Sequence, residues 1–156
     1  MESVKSKLDR MFNAKVVAVV GAKKENDYNW LRAYEHFQGK VYHVNLDRNE
    51  WPGAEELGFT NVASLTDIPE EVDHVVVSVP NVVVPAVLKD CIAKGVVGVH
   101  LFTAGFGESH TEIGERLENT ILEMASEADL PLIGPNCMGL YHPKAGMRMT
   151  RDQLYG

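Results

Sequence analysis

The sequence has few of the features that hold a fold together or anchor it from outside a hydrophobic core. Its 156 residues include two cysteines, Cys91 and Cys137, with neither the density of a disulfide scaffold nor metal-ligand spacing. Reduced thiols are expected. Six histidines, His36, His43, His74, His100, His110 and His142, show no paired ligand spacing, so no metal site is expected. No apolar run approaches the roughly 18 residues of a bilayer span, and Met1-Glu2-Ser3-Val4-Lys5 lacks the form of a secretory signal. Basic residues are outnumbered, 15 Lys and Arg against 22 Asp and Glu, for a net charge of -7. Such a chain has no broad basic field for nucleic acid or an anionic membrane surface. A soluble, cytoplasmic protein is expected, with no nucleic-acid or membrane partner.

What is present is a core. Apolar residues make up 45% of the chain, enough for one domain of ordinary size. The pattern is organised around Lys15 to Lys24. Val16-Val17-Ala18-Val19-Val20 has no polar alternation, as in a strand covered on both faces of a parallel sheet, and it runs directly into Gly21. A lead-in helix packing on the sheet edge is expected from Val4, Leu8, Met11 and Phe12. After the central strand, Asn26-Asp27 are read as the cap of a helix carrying Trp30, Leu31, Tyr34 and Phe37, ended by Gly39.

Further strands are read at Val41 to Asn45, around Val62, at Val75 to Pro80, at Val96 to Phe102 and at Leu130 to Ile133. A short helical piece is placed near Ala54 to Leu57. Pro85 and Gly95 bracket a helix with Val87, Leu88, Cys91 and Ile92 facing inward. Ser109 and Glu112 have capping-box spacing before a stripe of Ile113, Leu117, Ile121, Met124, Ala125 and Ala128. Alternating strands and helices predict an α/β fold: a doubly wound, Rossmann-like parallel sheet with helices on both faces. Residues 1–141 are assigned to this domain. Residues 142–156 show no stable pattern and are read as a tail, the start of a linker toward a second domain.

In such a fold the ligand site lies at the carboxyl ends of the strands, where strand order reverses. Four loops converge there: Gly21 to Lys24, Asn45 to Arg48, Ser78 to Asn81 and Thr103 to Glu108. A dinucleotide is the first candidate ligand. However, of the G-x-G-x-x-G fingerprint only Gly21 is present in Gly21-Ala22-Lys23-Lys24-Glu25-Asn26. Asp47, after the second strand, keeps an NAD(P)-binding redox or sensor module open as the alternative. An interaction domain with an empty pocket is the third class.

The last loop, Gly134-Pro135-Asn136-Cys137-Met138-Gly139, resembles the G-P-N-C-x-G signature of the nucleoside-diphosphate-forming acyl-CoA synthetases. Val16 to Ala22, Val41 to Asn45, Val75 to Pro80 and Ala104-Gly105-Phe106-Gly107-Glu108 follow the order and spacing of that family over nearly the whole chain. The match is to the amino-terminal CoA-binding domain of the acetate–CoA ligase and succinyl-CoA synthetase α-subunit type. The resemblance implies CoA or acyl-CoA as ligand, with other domains or subunits of such a synthetase as partners.

It also implies roles for individual residues. Gly21, Ala22, Lys23 and Lys24 fall at the phosphate loop, although Lys23 to Asp27 are bulkier and more charged than usual in the family. Arg48 falls where relatives carry a CoA-contacting lysine. Ser78, Val79, Pro80 and Asn81 match the segment lining the nucleotide and upper arm. Gly105 belongs to the glycine loop, and Asn136 and Cys137 would lie near the thiol end. Cys91 is read as core, Cys137 as structural, and Glu108 as bonding to backbone. Related synthetases work through a phosphohistidine on a second domain, which has no counterpart in this chain. No catalytic residue is assigned, and this chain alone is expected to be inactive as a ligase.

Overall fold

The computed structural model describes residues 2–154. Its centre is a sheet of six strands, all parallel, in the order β3-β2-β1-β4-β5-β6. The strands are β1 Val16–Val20, β2 Lys40–Val44, β3 Thr60–Val62, β4 His74–Val77, β5 Val99–Leu101 and β6 Leu132–Ile133. Strand order reverses between β1 and β4, as in the expected doubly wound topology.

The side-chain period of two divides each strand between two cores. Val16, Ala18 and Val20 of β1 join Val75, Val77, Val99 and Leu101 on one face. Helices α4 (Val84–Lys94) and α5 (Glu112–Glu127) cover that face with Leu88, Cys91, Ile121 and Ala125. Val17, Val19 and Val76 face the other way. There they meet Met11 of α1 (Val4–Phe12), Leu31 of α2 (Asn29–Arg32) and Ala54 of α3 (Trp51–Glu56). The unbroken apolar run of β1 thus reflects cover on both faces. Helix α1 packs across the amino-terminal ends of β4 to β6: Arg10 donates to Asp73 just before β4 at 2.8 Å, a Cβ on Gly98 just before β5 would come within 2.2 Å of Met11 Sδ, and Lys7 donates to Asp129 ahead of β6 at 2.7 Å.

Local signals set several boundaries. Pro85 lies in the first turn of α4, and Gly95 ends the helix in the left-handed region at φ 73°, a conformation glycine adopts without strain.

Other expectations need correction. The helix expected after Asn26-Asp27 is a single turn, Asn29–Arg32, and its start is displaced past Asp27 and Tyr28, which both take positive φ, 52° and 49°. Tyr28 is held there by its hydroxyl, which donates to Glu50 O at 2.9 Å. The capping box of Ser109 and Glu112 does not form. Ser109 Oγ donates back to Phe106 O at 2.6 Å, and Thr111 Oγ1 accepts from Gly114 N at 3.1 Å as the true cap. The inward stripes are also narrower than expected. Ile92, Ile113 and Ala128 are exposed, since each helix has only one sheet face to cover.

Beyond His142 the chain folds back. His142 bridges to Met147, Met147 is fully buried, and Arg148 donates to Arg32 O at 3.1 Å and Ala33 O at 3.4 Å. Tyr155 and Gly156 of the expected tail lie outside the described residues.

Candidate functional site

The carboxyl ends of β1, β2 and β4 frame a cleft of about 240 Å3. Gly21 closes β1 at φ 89°, and a Cβ there would sit 2.5 Å from Val79 Cγ1 and 2.6 Å from Ser78 O. Only a hydrogen fits between the two strand ends. Lys23, Asn45, Leu46, Ser64, Leu65, Val79, Pro80, Val83 and Asp90 are among the residues around the opening. The lining is mainly apolar, with its polar groups at the ends, the composition of a small-molecule site.

Hydrogen bonds brace the walls. Ala22 O accepts from His43 Nε2 at 3.0 Å and from Asn45 Nδ2 at 3.1 Å. Trp51 Nε1 donates to Asn45 O at 2.9 Å, and Arg48 lies over the Trp51 ring, 5.1 Å from its centre. Thr103 Oγ1 donates to Val79 O at 2.7 Å, and Asn81 Nδ2 to Gly105 O at 2.6 Å. These two bonds tie the loop after β4 to the loop after β5. Glu108 accepts from Gly105 N at 2.6 Å and Phe106 N at 3.1 Å, the backbone-bonding role expected of it.

The loop after β1 offers donors. Gly21 N is taken by Val44 O at 3.2 Å and Lys24 N by the Glu50 carboxylate at 2.7 Å. Among the described residues the amides of Ala22 and Lys23 have no acceptor; Ala22 is fully buried, which leaves the Lys23 amide as the open donor. The side chains of Lys23, Lys24 and Arg48 are exposed and form no ion pair with any described residue. An open amide and cations without an ion pair at a strand end suit an anionic group.

Two roomier clefts, of about 500 and 430 Å3, open at the amino-terminal ends of the strands. In the larger, the Asp73 carboxylate is already held by Arg10 at 2.8 Å and by the amides of Lys15 and Val16. Its charge serves to fasten α1 and β1 together.

The residues expected at the site fall into groups. Gly21, Lys23, Val79 and Pro80 line one cleft, with Ala22 and Ser78 in its walls. Lys24 and Arg48 stand beside it, engaged with Glu50 and Trp51. Asn81 and Gly105 lie together in the next loop pair. Asn136 and Cys137 are not brought into the cleft; their amides bond Thr103 O at 3.0 Å and Leu101 O at 3.1 Å beyond β5. Ser64, Leu65, Val83 and Asp90 were not singled out from the sequence. One signal pointed to the first pair: Ser64 and Asp67 form a reciprocal capping box, and that spacing is legible in the sequence.

The two thiols differ. Burial pushes the Cys91 thiol up to about 12, with the Asp90 charge adding to the effect, so it is a core residue as expected. Cys137 Sγ accepts from Gly139 N at 3.3 Å in a partly open loop. No group of three potential metal ligands occurs among the described residues. None of the helices there is long and apolar enough to cross a membrane.

An all-parallel sheet in this order, with a cleft beside the point of reversal, defines a Rossmann-like α/β domain. The chain belongs to the CoA-binding domain family of the nucleoside-diphosphate-forming acyl-CoA synthetases: the family profile described as "CoA binding domain" matches residues 15–143. It is 37% identical over 147 residues to the acetate–CoA ligase (ADP-forming) II α-subunit of Pyrococcus furiosus, covering 92% of this chain and 31% of that one. It is 36% identical to the acetate–CoA ligase (ADP-forming) of Methanocaldococcus jannaschii, covering 90% of this chain and 19% of that one. Among solved structures, the acetyl-coenzyme A synthetase 1 of Ca. Korarchaeum cryptofilum, in complex with phosphate and ADP, superposes with a TM-score of 0.79 at 32% identity. That match covers 92% of this chain and 30% of the other. The chain thus spans less than a third of the length of these relatives. With the family established, the NAD(P) alternative is not favoured.

Proposed function

We propose that this domain binds CoA or acyl-CoA at the cleft between Gly21 and Pro80, as the CoA-holding part of an ADP-forming acyl-CoA synthetase. The observation that carries this reading is the open Lys23 amide in the loop after Gly21, flanked by cations that form no ion pair with any described residue. They lie next to an apolar slot formed by Val20, Val44, Leu65, Val79 and Val87.

CoA needs both kinds of surface. Its pyrophosphate and 3′-phosphate call for amide donors and local cations, which a protein of net charge -7 has to concentrate at one place. Its adenine calls for an apolar wall. Lys23, Lys24 and Arg48 supply the cations, and Asn81, Gly105, Asn136 and Cys137 fall along the further strand ends, where the pantetheine arm would extend. The surface that holds the thiol belongs to the β5 and β6 loops in this reading.

No residue of the cleft is a nucleophile with a base beside it, so the domain binds and orients. Phosphoryl and acyl transfer would be carried out by other segments of a synthetase. A thermal-shift titration tests the binding. CoA at about 100 times its dissociation constant should stabilise the fold by about 2.7 kcal/mol. A melting temperature unmoved by millimolar CoA would oppose the reading.

A further inference from the structure

The Lys24 amide is not free, and its acceptor is a carboxylate. Glu50 Oε2 receives that N–H at 2.7 Å, while the preceding amides, Ala22 and Lys23, have no acceptor among the described residues. Glu50 is brought there from the far side of the cleft. It ends the turn Arg48–Glu50 after β2, and its own carbonyl is fixed by the Tyr28 hydroxyl at 2.9 Å. An anion therefore already sits on the Lys24 donor, next to the Lys23 amide, which is open on an exposed residue, while Ala22 is fully buried.

We propose that Glu50 is an internal competitor for the phosphate loop, a specificity-determining residue whose carboxylate is displaced from the Lys24 amide by the ligand's pyrophosphate. The inference rests on the CoA reading above and adds a residue to it. A carboxylate and a phosphate oxygen make the same kind of charge-assisted bond to an amide, so the exchange is close to even at that atom. The phosphate gains in addition the Lys23 amide and the Lys23 and Lys24 side chains, none of which Glu50 satisfies. A neutral ligand portion gains nothing from the exchange. Glu50 therefore screens the loop against ligands without phosphate there and holds down the affinity for those that have it. It also gives a role to this unusually bulky, charged loop, which is kept closed on itself until an anion of higher charge arrives.

The test is Glu50→Gln, measured by calorimetry against CoA, dephospho-CoA, 4′-phosphopantetheine and pantetheine. The Tyr28 hydroxyl bonds the Glu50 main chain, which the variant keeps, and also lies near the Glu50 carboxylate, so an unchanged melting temperature is the check that the fold is kept. CoA and dephospho-CoA should each bind about three- to tenfold tighter, because Gln still accepts the Lys24 N–H through its amide oxygen and only the charge-assisted part of that bond is given up. Pantetheine affinity should not change. The gain should appear between 4′-phosphopantetheine and dephospho-CoA, where the pyrophosphate is completed, and not at the 3′-phosphate. Equal or weaker CoA binding by the variant would overturn the proposal and make Glu50 a residue that merely holds the loop in place. If CoA binds neither protein, both this proposal and the CoA reading fall, a result distinct from equal binding to the two.

Discussion

His74 and His100, on the adjacent strands β4 and β5, are joined by one hydrogen bond of 3.0 Å between His74 Nε2 and His100 Nδ1. Both rings are buried, and their outer nitrogens, His74 Nδ1 and His100 Nε2, have no partner among the described residues. Burial lowers both pKa values, that of His100 to about 4, and for His74 the neighbouring His100 charge lowers it further. The unfolded chain therefore binds more protons than the folded one below about pH 6.5. Stability is full above that value and falls as the pH drops from about 6.5 toward 4. His100 alone should cost about 2 kcal/mol at pH 5. Urea unfolding at pH 7.5 and 5.0 measures this, and His100→Gln should flatten the difference. A pH-independent midpoint would contradict the buried, neutral pair.

Gly21→Ala places a methyl group against Val79 and the Ser78 carbonyl at a positive φ. The expected cost is about 1–3 kcal/mol of stability from backbone strain alone, with loss of CoA binding because the loop after β1 has to move. Thermal unfolding with a CoA titration checks both. A variant of unchanged affinity would mean that the turn does not set the site.

Lys23→Ala and Arg48→Ala should each weaken CoA about tenfold, the scale of one charge-assisted contact. Dephospho-CoA separates their roles. If Arg48 meets the 3′-phosphate, its loss should weaken CoA and leave dephospho-CoA nearly unchanged, whereas Lys23, which lines the cleft, should affect both. An Arg48→Ala variant that binds both ligands as before would leave Arg48 with its Trp51 contact alone.

The thiols should react unequally. Cys91 is fully buried with its pKa raised to about 12, while Cys137 is partly open. A thiol reagent at pH 8 should modify one cysteine in the native protein and two after denaturation, with mass spectrometry assigning the first to Cys137. Fast native reaction at Cys91 would contradict the packing under α4.

The framework was legible because its signals are local. The run Val16 to Val20 and the Pro85 and Gly95 helix bounds are each written in a few adjacent residues, and the sheet follows from the alternation of such runs, although β4 ends at Val77 and not at the Pro80 expected to close it. The turns at Asp27, Tyr28 and Thr111 were not legible, since they depend on partners distant in sequence or on competition between neighbouring hydroxyls. Glu50 fixes Tyr28, and Ser109 turns back to Phe106. The site divided the same way. Gly21, Lys23, Val79 and Pro80 follow from strand ends, whereas Val83 and Asp90 reach the cleft only through the docking of α4. Arg148, buried against carbonyls of residues 32 and 33, lay in a segment with no periodic pattern at all.

The most direct measurement is isothermal calorimetry of the purified chain with CoA and, separately, with NADH under the same conditions. The expected result is saturable CoA binding at one site per chain, abolished by Gly21→Ala, with no heat of binding for NADH. Saturable NADH binding without CoA binding would contradict the assignment of the Gly21 cleft and make the fold a dinucleotide module.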